Sequence, residues 1–517
     1  MIWNSSMIKK DIIQPINDLI EKQAKELKDK IAYADETENI SYKNLNIETK
    51  NLSFYLNEKN LNPDDAASII LPNSVNWIVS CFAIIRLGCL VVPISYDSTL
   101  SEIEYKLNDS NTKIIITTNE IKDKIKKQLK LKNKIQFITV DDQGADLNLS
   151  KIRKINHQSI LLKDDINKPS YILYTSGTTG QPKGVLLTTR GMLWVVASCW
   201  MPIAGLNENS KVLSPLPLFH SYALNLSVLG ILAAGASEFL LPKFSPIDIF
   251  NKTKKEEFNF LPGVPTMFHY LLSTGKKDNL NLNNINKCVS AGAIMPAKLN
   301  YDFEEYFHLE LLDGYGITET STMVTMNWSG KERNMGSCGL PLPGMSVRII
   351  DINGLDVKPD EEGELICRGP NVMIGYHKKE NETDKILKNG WYYTGDLAKQ
   401  DLNGFIKITG RLKEIIIRGG QNISPTEVEE AILKNPKILD CAVVGLKHSQ
   451  LGEIPAAFVI LKEGEIFNEN EIKNFCVNEL SKYKIPDIIK QIDFIPRTGS
   501  GKTMRYKLIQ NHKEKSI

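Results

Sequence analysis

Hydrophobic and polar positions follow two textures along this chain. Through roughly the first 330 residues, short β-branched runs recur: "AASIILP", "CLVVPI", "TKIIITT", "IQFITV", "SKVLSPLPL", "FNFLPGVP" and "LELLDGYG". Each is bounded by turn residues and reads as a buried strand. Between them, segments such as "NWIVSCFAIIRLG" and "PAKLNYDFEEYFH" place apolar residues at helical spacing. Such alternation predicts α/β layers with largely parallel sheets. The most apolar run, "WIVSCFAIIRLGCLVVPI", carries Arg86 near its middle and Pro93 near its end. It reads as a buried helix running into a strand rather than a membrane span.

From about residue 335 the texture changes to short strands with Gly, Pro and Asp-rich turns, as in "SVRIIDINGLDVKPDEEGELICRG". A small antiparallel β region is expected there. After "GFIKITGRLKEIIIRGGQNISP" come "TEVEEAILKNP", a helix opened by Pro425 and Thr426, then "LDCAVVGL", "PAAFVILK", "NENEIKNFCVNELSKY" and "IIKQIDFIP". Those suffice for a compact α+β module of about 100 residues. With 517 residues the chain also exceeds the size at which one core stops growing. The expected division is 1–410, a large domain of layered α/β sheets plus the small β region, and 411–517, a small C-terminal domain.

Composition narrows the function classes. A content of 42% hydrophobic and 24% charged residues is that of an ordinary soluble globular protein. The balance of 63 Lys plus Arg against 61 Asp plus Glu gives +2, so no global field favours nucleic acid. The most basic stretch, "IKDKIKKQLKLKNKI" at 121–135, reads as one solvated helix with lysines around an apolar face, contact with anionic lipid being the sharper alternative. The eight cysteines form no C-x-x-C pair, and the N-terminus "MIWNSSMIKKDIIQPINDLI" is too polar for a signal peptide. Both features suit a reducing cytoplasm.

Two stretches invite a phosphate. "PRTGSGKTMR" at 496–505 matches the end of a Walker loop but has Pro496 where its first glycine belongs. Only "MRYKLIQNHKEKSI" follows, too little chain to build the rest of a P-loop fold. "YTSGTTGQPKGV" at 174–185 gathers Thr175, Ser176, Thr178 and Thr179 with Gly177, Gly180, Gly184 and Lys183. Glycines let the backbone approach an anion, hydroxyls and amides donate to it, and the lysine adds charge; that density is unlike an ordinary surface loop.

The second stretch resembles the signature of the adenylate-forming superfamily, which includes acyl-CoA and aryl-CoA synthetases, firefly luciferase and the adenylation domains of nonribosomal peptide synthetases. "LDGYGITETS", "WYYTGDLA", "GRLKEIIIRGGQNISPTEVEE" and "PRTGSGKTMR" resemble its later motifs, in the same order. The resemblance implies a mobile C-terminal domain whose Lys502 reaches the α-phosphate of ATP, where a cation stabilises developing charge. It implies Glu319 as the carboxylate for Mg²⁺, and Thr318 at the α-phosphate. Tyr315 would stack on adenine, with Asp313, Gly314 and the backbone around Gly292 and Ala293 at its edge. Asp396 would take the ribose hydroxyls, assisted by Arg411. His220 matches the gate beside the substrate carboxylate. Amino-acid-activating relatives have an aspartate there, so an acid without an α-amine is favoured.

For the thioester step the resemblance implies a hinge at Lys413 and a glycine-rich passage for pantetheine at Gly419, Gly420 and Asn422, with Lys482 and Lys484 toward CoA phosphates. Plant aryl-acid ligases have lysines near Ile417 and Gly419, and this chain departs from them. "GVPTMFHYL", "LPLFHSYAL" and "GPNVMIGYHKKENET" look most like bacterial long-chain fatty acid ligases. The expected activity is MgATP-dependent formation of an acyl-adenylate from a medium- to long-chain acid, then transfer to CoA. The alternatives are an acyl carrier protein as acceptor and an aryl acid as substrate. A cytoplasmic enzyme is expected, with peripheral contact at the inner membrane surface as the variant.

Overall fold

The computed structural model describes residues 7–132, 134–141, 148–155, 164–175, 182–330, 332–497 and 503–514. The chain forms two compact units: Met1–Met335 with Gly339–Ser346 and Arg368–Tyr392, and Gly336–Cys338 with Val347–Cys367 and Tyr393–Ile517.

The first unit holds two sheets. Five of the nine strands of one, Ile31–Ala34, Ser237–Leu240, Lys211–Ser214, Phe260–Gly263 and Lys287–Ser290, run parallel to one another and to a sixth, Glu310–Tyr315. Antiparallel strands Asn39–Ser41 and Thr325–Met326 flank that parallel block. In the seven-stranded sheet, Pro169–Thr175, Leu90–Pro93, Ala66–Ile70, Ile114–Thr117 and Gln136–Thr139 are parallel neighbours. Lys183–Thr188 folds back against Pro169–Thr175 as an antiparallel hairpin. The seven runs singled out in the sequence are all strands, each short and mostly buried.

The apolar run at 77–94 is the helix Val75–Arg86 followed by the strand Leu90–Pro93. Arg86 is buried but satisfied, donating to Thr49 Oγ1 at 2.8 Å and Asn46 Oδ1 at 3.0 Å. The basic stretch departs from its expectation of one helix over 121–135. Its helix, Asn119–Gln128, turns Ile121 and Ile125 inward and stops, and Leu129 adopts extended backbone. Leu129, Leu131 and Ile135 pack on the same core as Ile121, from beyond the end of the helix. Among the described residues no helix is long and apolar enough to cross a membrane.

In the second unit, Tyr393–Gln400 of the strand Trp391–Gln400 faces the antiparallel strand Ile406–Arg411. A further sheet is built on the long hairpin Ile438–His448 and Gly452–Leu461; Ile416–Arg418, antiparallel, and Ile488–Gln491, parallel, both pair with Gly452–Leu461 along the edge that the hairpin leaves open. Alternation sorts its residues by face: Cys441 and Val443 pack with the helix Pro425–Leu433, while Ala442, Val444 and Leu446 pack with Leu508.

Candidate active site

The first unit gathers its polar side chains at the C-terminal ends of parallel strands, where open α/β sheets bind ligands. Ser290 and Asp313 sit opposite each other on Lys287–Ser290 and Glu310–Tyr315. Gly292, two residues beyond Ser290, has φ +91° and is half-buried, as is Ala293. Asp313 is buried, and that burial pushes its carboxyl well above the usual range against the pull of the Ser290 hydroxyl and the Gly314 amide. Tyr315, one strand position beyond Gly314, is half-buried.

Past Tyr315 the chain makes a tight reversal. A β carbon on Gly316 would lie 1.6 Å from the Thr322 carbonyl oxygen, so only glycine fits. The short helix Thr318–Thr320 that follows carries Glu319. A distant segment grips this turn: Asn371 Nδ2 donates to the carbonyls of Thr320 (2.8 Å) and Met323 (2.7 Å), and the Met373 amide donates to the Glu319 carbonyl at 2.8 Å. Tyr376 completes the grip, its hydroxyl donating to Glu319 Oε1 at 2.9 Å. Burial, then the neighbouring Glu319 charge, raises the Tyr376 phenol far above its ordinary value, so it stays a donor.

Tyr376 is placed there by the two-residue strand Gly375–Tyr376, which pairs antiparallel with Lys183–Thr188, Tyr376 opposite Val185. Lys183 therefore lies in a hairpin strand, opposite Thr175, and not in the loop in which the sequence reading put it. Its Nζ stands 5.0 Å from the centre of the Tyr376 ring and is ion-paired with Glu382. On the other side of the turn, Thr318 Oγ1 lies 3.5 Å from Ser221 Oγ. Ser221 follows His220, which is half-buried with its ring 4.7 Å from that of Phe219. Beyond them Leu224–Gly230 is wholly buried, and Asn225 accepts from Trp200 Nε1 at 2.6 Å.

In the second unit Asp396 is 2% exposed, and its Oδ1 accepts from Arg411 Nε at 2.7 Å across the paired strands. Thr394 supports it, donating to the Leu365 carbonyl at 2.6 Å and accepting from the Asp396 amide at 3.0 Å. Lys413 is exposed in the turn Leu412–Glu414 that follows Arg411. The next residue, Glu414, pairs with Arg505 at 3.2 Å, and Arg505 also pairs with Glu429 at 2.7 Å. Gly419 and Gly420 have φ of +55° and +83° and form the exposed turn before Asn422. Lys482 is exposed, whereas Lys484 pairs with Glu427 at 2.5 Å. Ser176, Gly177, Thr178, Thr179, Gly180 and Lys502 lie outside the described residues.

Sequence reasoning found Lys183 and Glu319 but missed what joins them. Tyr376 and Glu382 sit in "GYHKKENET", whose composition says exposed loop and short helix. Their only local signal is the Gly-Tyr pair in a strand too short to show a period.

The donor set fits a magnesium ion. Among the described residues no three His, Cys, Asp or Glu side chains cluster as ligands, which excludes an all-protein cage there. A single half-buried carboxylate such as Glu319 suits Mg²⁺, which takes one or two carboxylates and fills its remaining positions from phosphates and water.

The fold is that of the adenylate-forming enzymes. The AMP-binding enzyme family matches residues 20–377, and the AMP-binding enzyme C-terminal domain matches residues 427–502. This chain belongs to the AMP-binding enzyme family. It is 30% identical to a long-chain-fatty-acid–CoA ligase of Bacillus subtilis (strain 168), over 96% of this chain and 95% of that one. An o-succinylbenzoate CoA synthetase of Bacillus subtilis, solved with ATP and magnesium ion, superposes with a TM-score of 0.83 at 26% identity, covering 95% and 98% of the two chains. The fold is also that of the anthranilate CoA ligase AuaEII in complex with anthranoyl-AMP, with a TM-score of 0.89 at 23% identity over 96% and 97% of the chains.

Proposed function

We propose that this AMP-binding enzyme is an acid–CoA ligase whose substrate is a medium- to long-chain fatty acid. Carboxylate attack on the α-phosphate of MgATP gives an acyl-adenylate and pyrophosphate, and the CoA thiol then displaces AMP. The observation that carries the choice of acid is the match, over nearly the whole of both chains, to a relative named for long-chain fatty acids. His220 agrees with it, since an imidazole beside the carboxylate offers no fixed negative charge for an α-ammonium. An aryl acid is the second reading, because structural neighbours include enzymes named for anthranilate and o-succinylbenzoate.

The roles divide between the proposed domains 1–410 and 411–517. Lys183, with Thr175 and the hydroxyl-rich stretch Ser176, Gly177, Thr178, Thr179 and Gly180, holds the phosphates. Tyr315, Asp313, Gly314, Gly292 and Ala293 receive adenine, and Asp396 with Arg411 receives the ribose. Glu319 would hold Mg²⁺, which neutralises phosphate charge when bound. Thr318 and Lys502 stabilise charge at the α-phosphate, and His220 gates the acid. Rotation at Lys413 then brings the Gly419–Gly420 turn and Asn422 to the thiol's path, with Lys482 toward CoA; Lys484 would first have to leave Glu427.

Purified protein incubated with MgATP and a panel of short, medium, long-chain and aromatic acids, with and without CoA, tests this reading by product mass. A fatty acyl-CoA is expected. Adenylate left untouched beside CoA would point to an acyl carrier protein as acceptor, and a product from aromatic acids alone would overturn the fatty acid assignment.

A further inference from the structure

Glu382 has no part in the chemistry above, yet it holds the lysine that chemistry needs. It projects from the short helix Glu380–Ile386, which buries no residue. Thr383 fastens that helix to the site by accepting from the Tyr376 amide at 2.9 Å. Glu382 lies between two ammonium groups, ion-paired with Lys183 and 3.3 Å from Lys379 Nζ. The hydrogen bond from Lys183 is the chief reason its carboxyl is held below the usual carboxylate range. At neutral pH it is therefore an anion, set against a cation that also rests on the Tyr376 ring. A carboxylate and a phosphate oxygen make the same kind of charge-assisted bond to an ammonium group.

We infer that Glu382 is an internal counter-ion that Lys183 exchanges for a phosphate of the nucleotide, so that Glu382 weakens nucleotide affinity as a competitor. The inference rests on the reading of Lys183 as a phosphate ligand. On exchange Glu382 keeps a partner in Lys379, so no charge is stranded, and a helix that buries nothing resists the movement little. The side chains are 16% and 34% exposed, so water and salt screen the pair and its effect is modest.

Calorimetric titration of the full-length protein with MgATP, without acid or CoA, tests this with Glu382→Gln, which removes the charge and keeps the shape. Tighter binding is expected, by about two- to five-fold, the range that exposed ion pairs span. The gain should shrink at high salt, and KM for ATP in pyrophosphate exchange should fall with kcat nearly unchanged. Unchanged or weaker binding by the variant, with the wild type binding normally, would overturn the inference and leave the ligase reading standing. A wild-type protein that does not bind MgATP would overturn both.

Discussion

Tyr376 donates its hydroxyl to Glu319 at 2.9 Å from 57 positions further along the chain. The bond fixes the one carboxylate assigned to the metal, and the tyrosine's ring face carries Lys183. One side chain thus orients both an anion and a cation.

Tyr376→Phe keeps the ring beneath Lys183 and frees the Glu319 carboxylate to turn. A hydrogen bond to a charged group contributes about 1.5–3 kcal/mol, or roughly 10- to 100-fold. The adenylation rate is expected to fall by about that much, with a raised requirement for Mg²⁺ and an unchanged melting temperature. ATP–pyrophosphate exchange at graded Mg²⁺ measures it; exchange at the wild-type rate and Mg²⁺ requirement would contradict the positioning role.

Lys502→Ala removes the cation proposed at the α-phosphate. Adenylate formation should be nearly abolished, while pre-made acyl-AMP should still react with CoA. Separate assays of the two half-reactions decide it, and equal loss of both would refute the assignment.

Lys413→Pro fixes φ within the exposed turn Leu412–Glu414 and restricts Leu412 before it. Thioester formation should suffer more than adenylation. Stopped-flow or quenched-flow measurement of both steps reads the ratio, and unaltered thioester formation would remove Lys413 as the hinge.

Arg153→Met concerns stability. Arg153 is 2% exposed and donates to Glu48 Oε2 (2.6 Å), Glu38 Oε1 (2.8 Å) and Asn76 Oδ1 (2.5 Å). Deleting the cation leaves those acceptors facing one another, at a cost of about 3 kcal/mol, the low end for a broken buried pair because Glu38 is partly exposed. Urea unfolding followed by the fluorescence of the buried Trp77 and Trp200 should show an earlier midpoint. A shift worth less than about 1 kcal/mol, the size of an exposed pair, would mean the network is slack.

The sequence by itself determined the elements and the chemical inventory. Residue type and spacing are properties of neighbouring residues, so the β-branched run of "TKIIITT" and the helical spacing of "NWIVSCFAIIRLG" declare strand and helix without reference to the rest of the chain. The ordered motifs likewise name Glu319, Asp396 and Arg411, and the strand pairing then sets Asp396 opposite Arg411. Only the tertiary structure decided where the basic helix stops, since Leu129 turns to extended backbone while it packs on the same core as Ile121 and Ile125. It alone decided that Lys183 meets Glu382 and that Tyr376 meets Glu319. Those meetings depend on which strand lies beside which and in what register, and pairing between segments far apart in the chain leaves no local period to read.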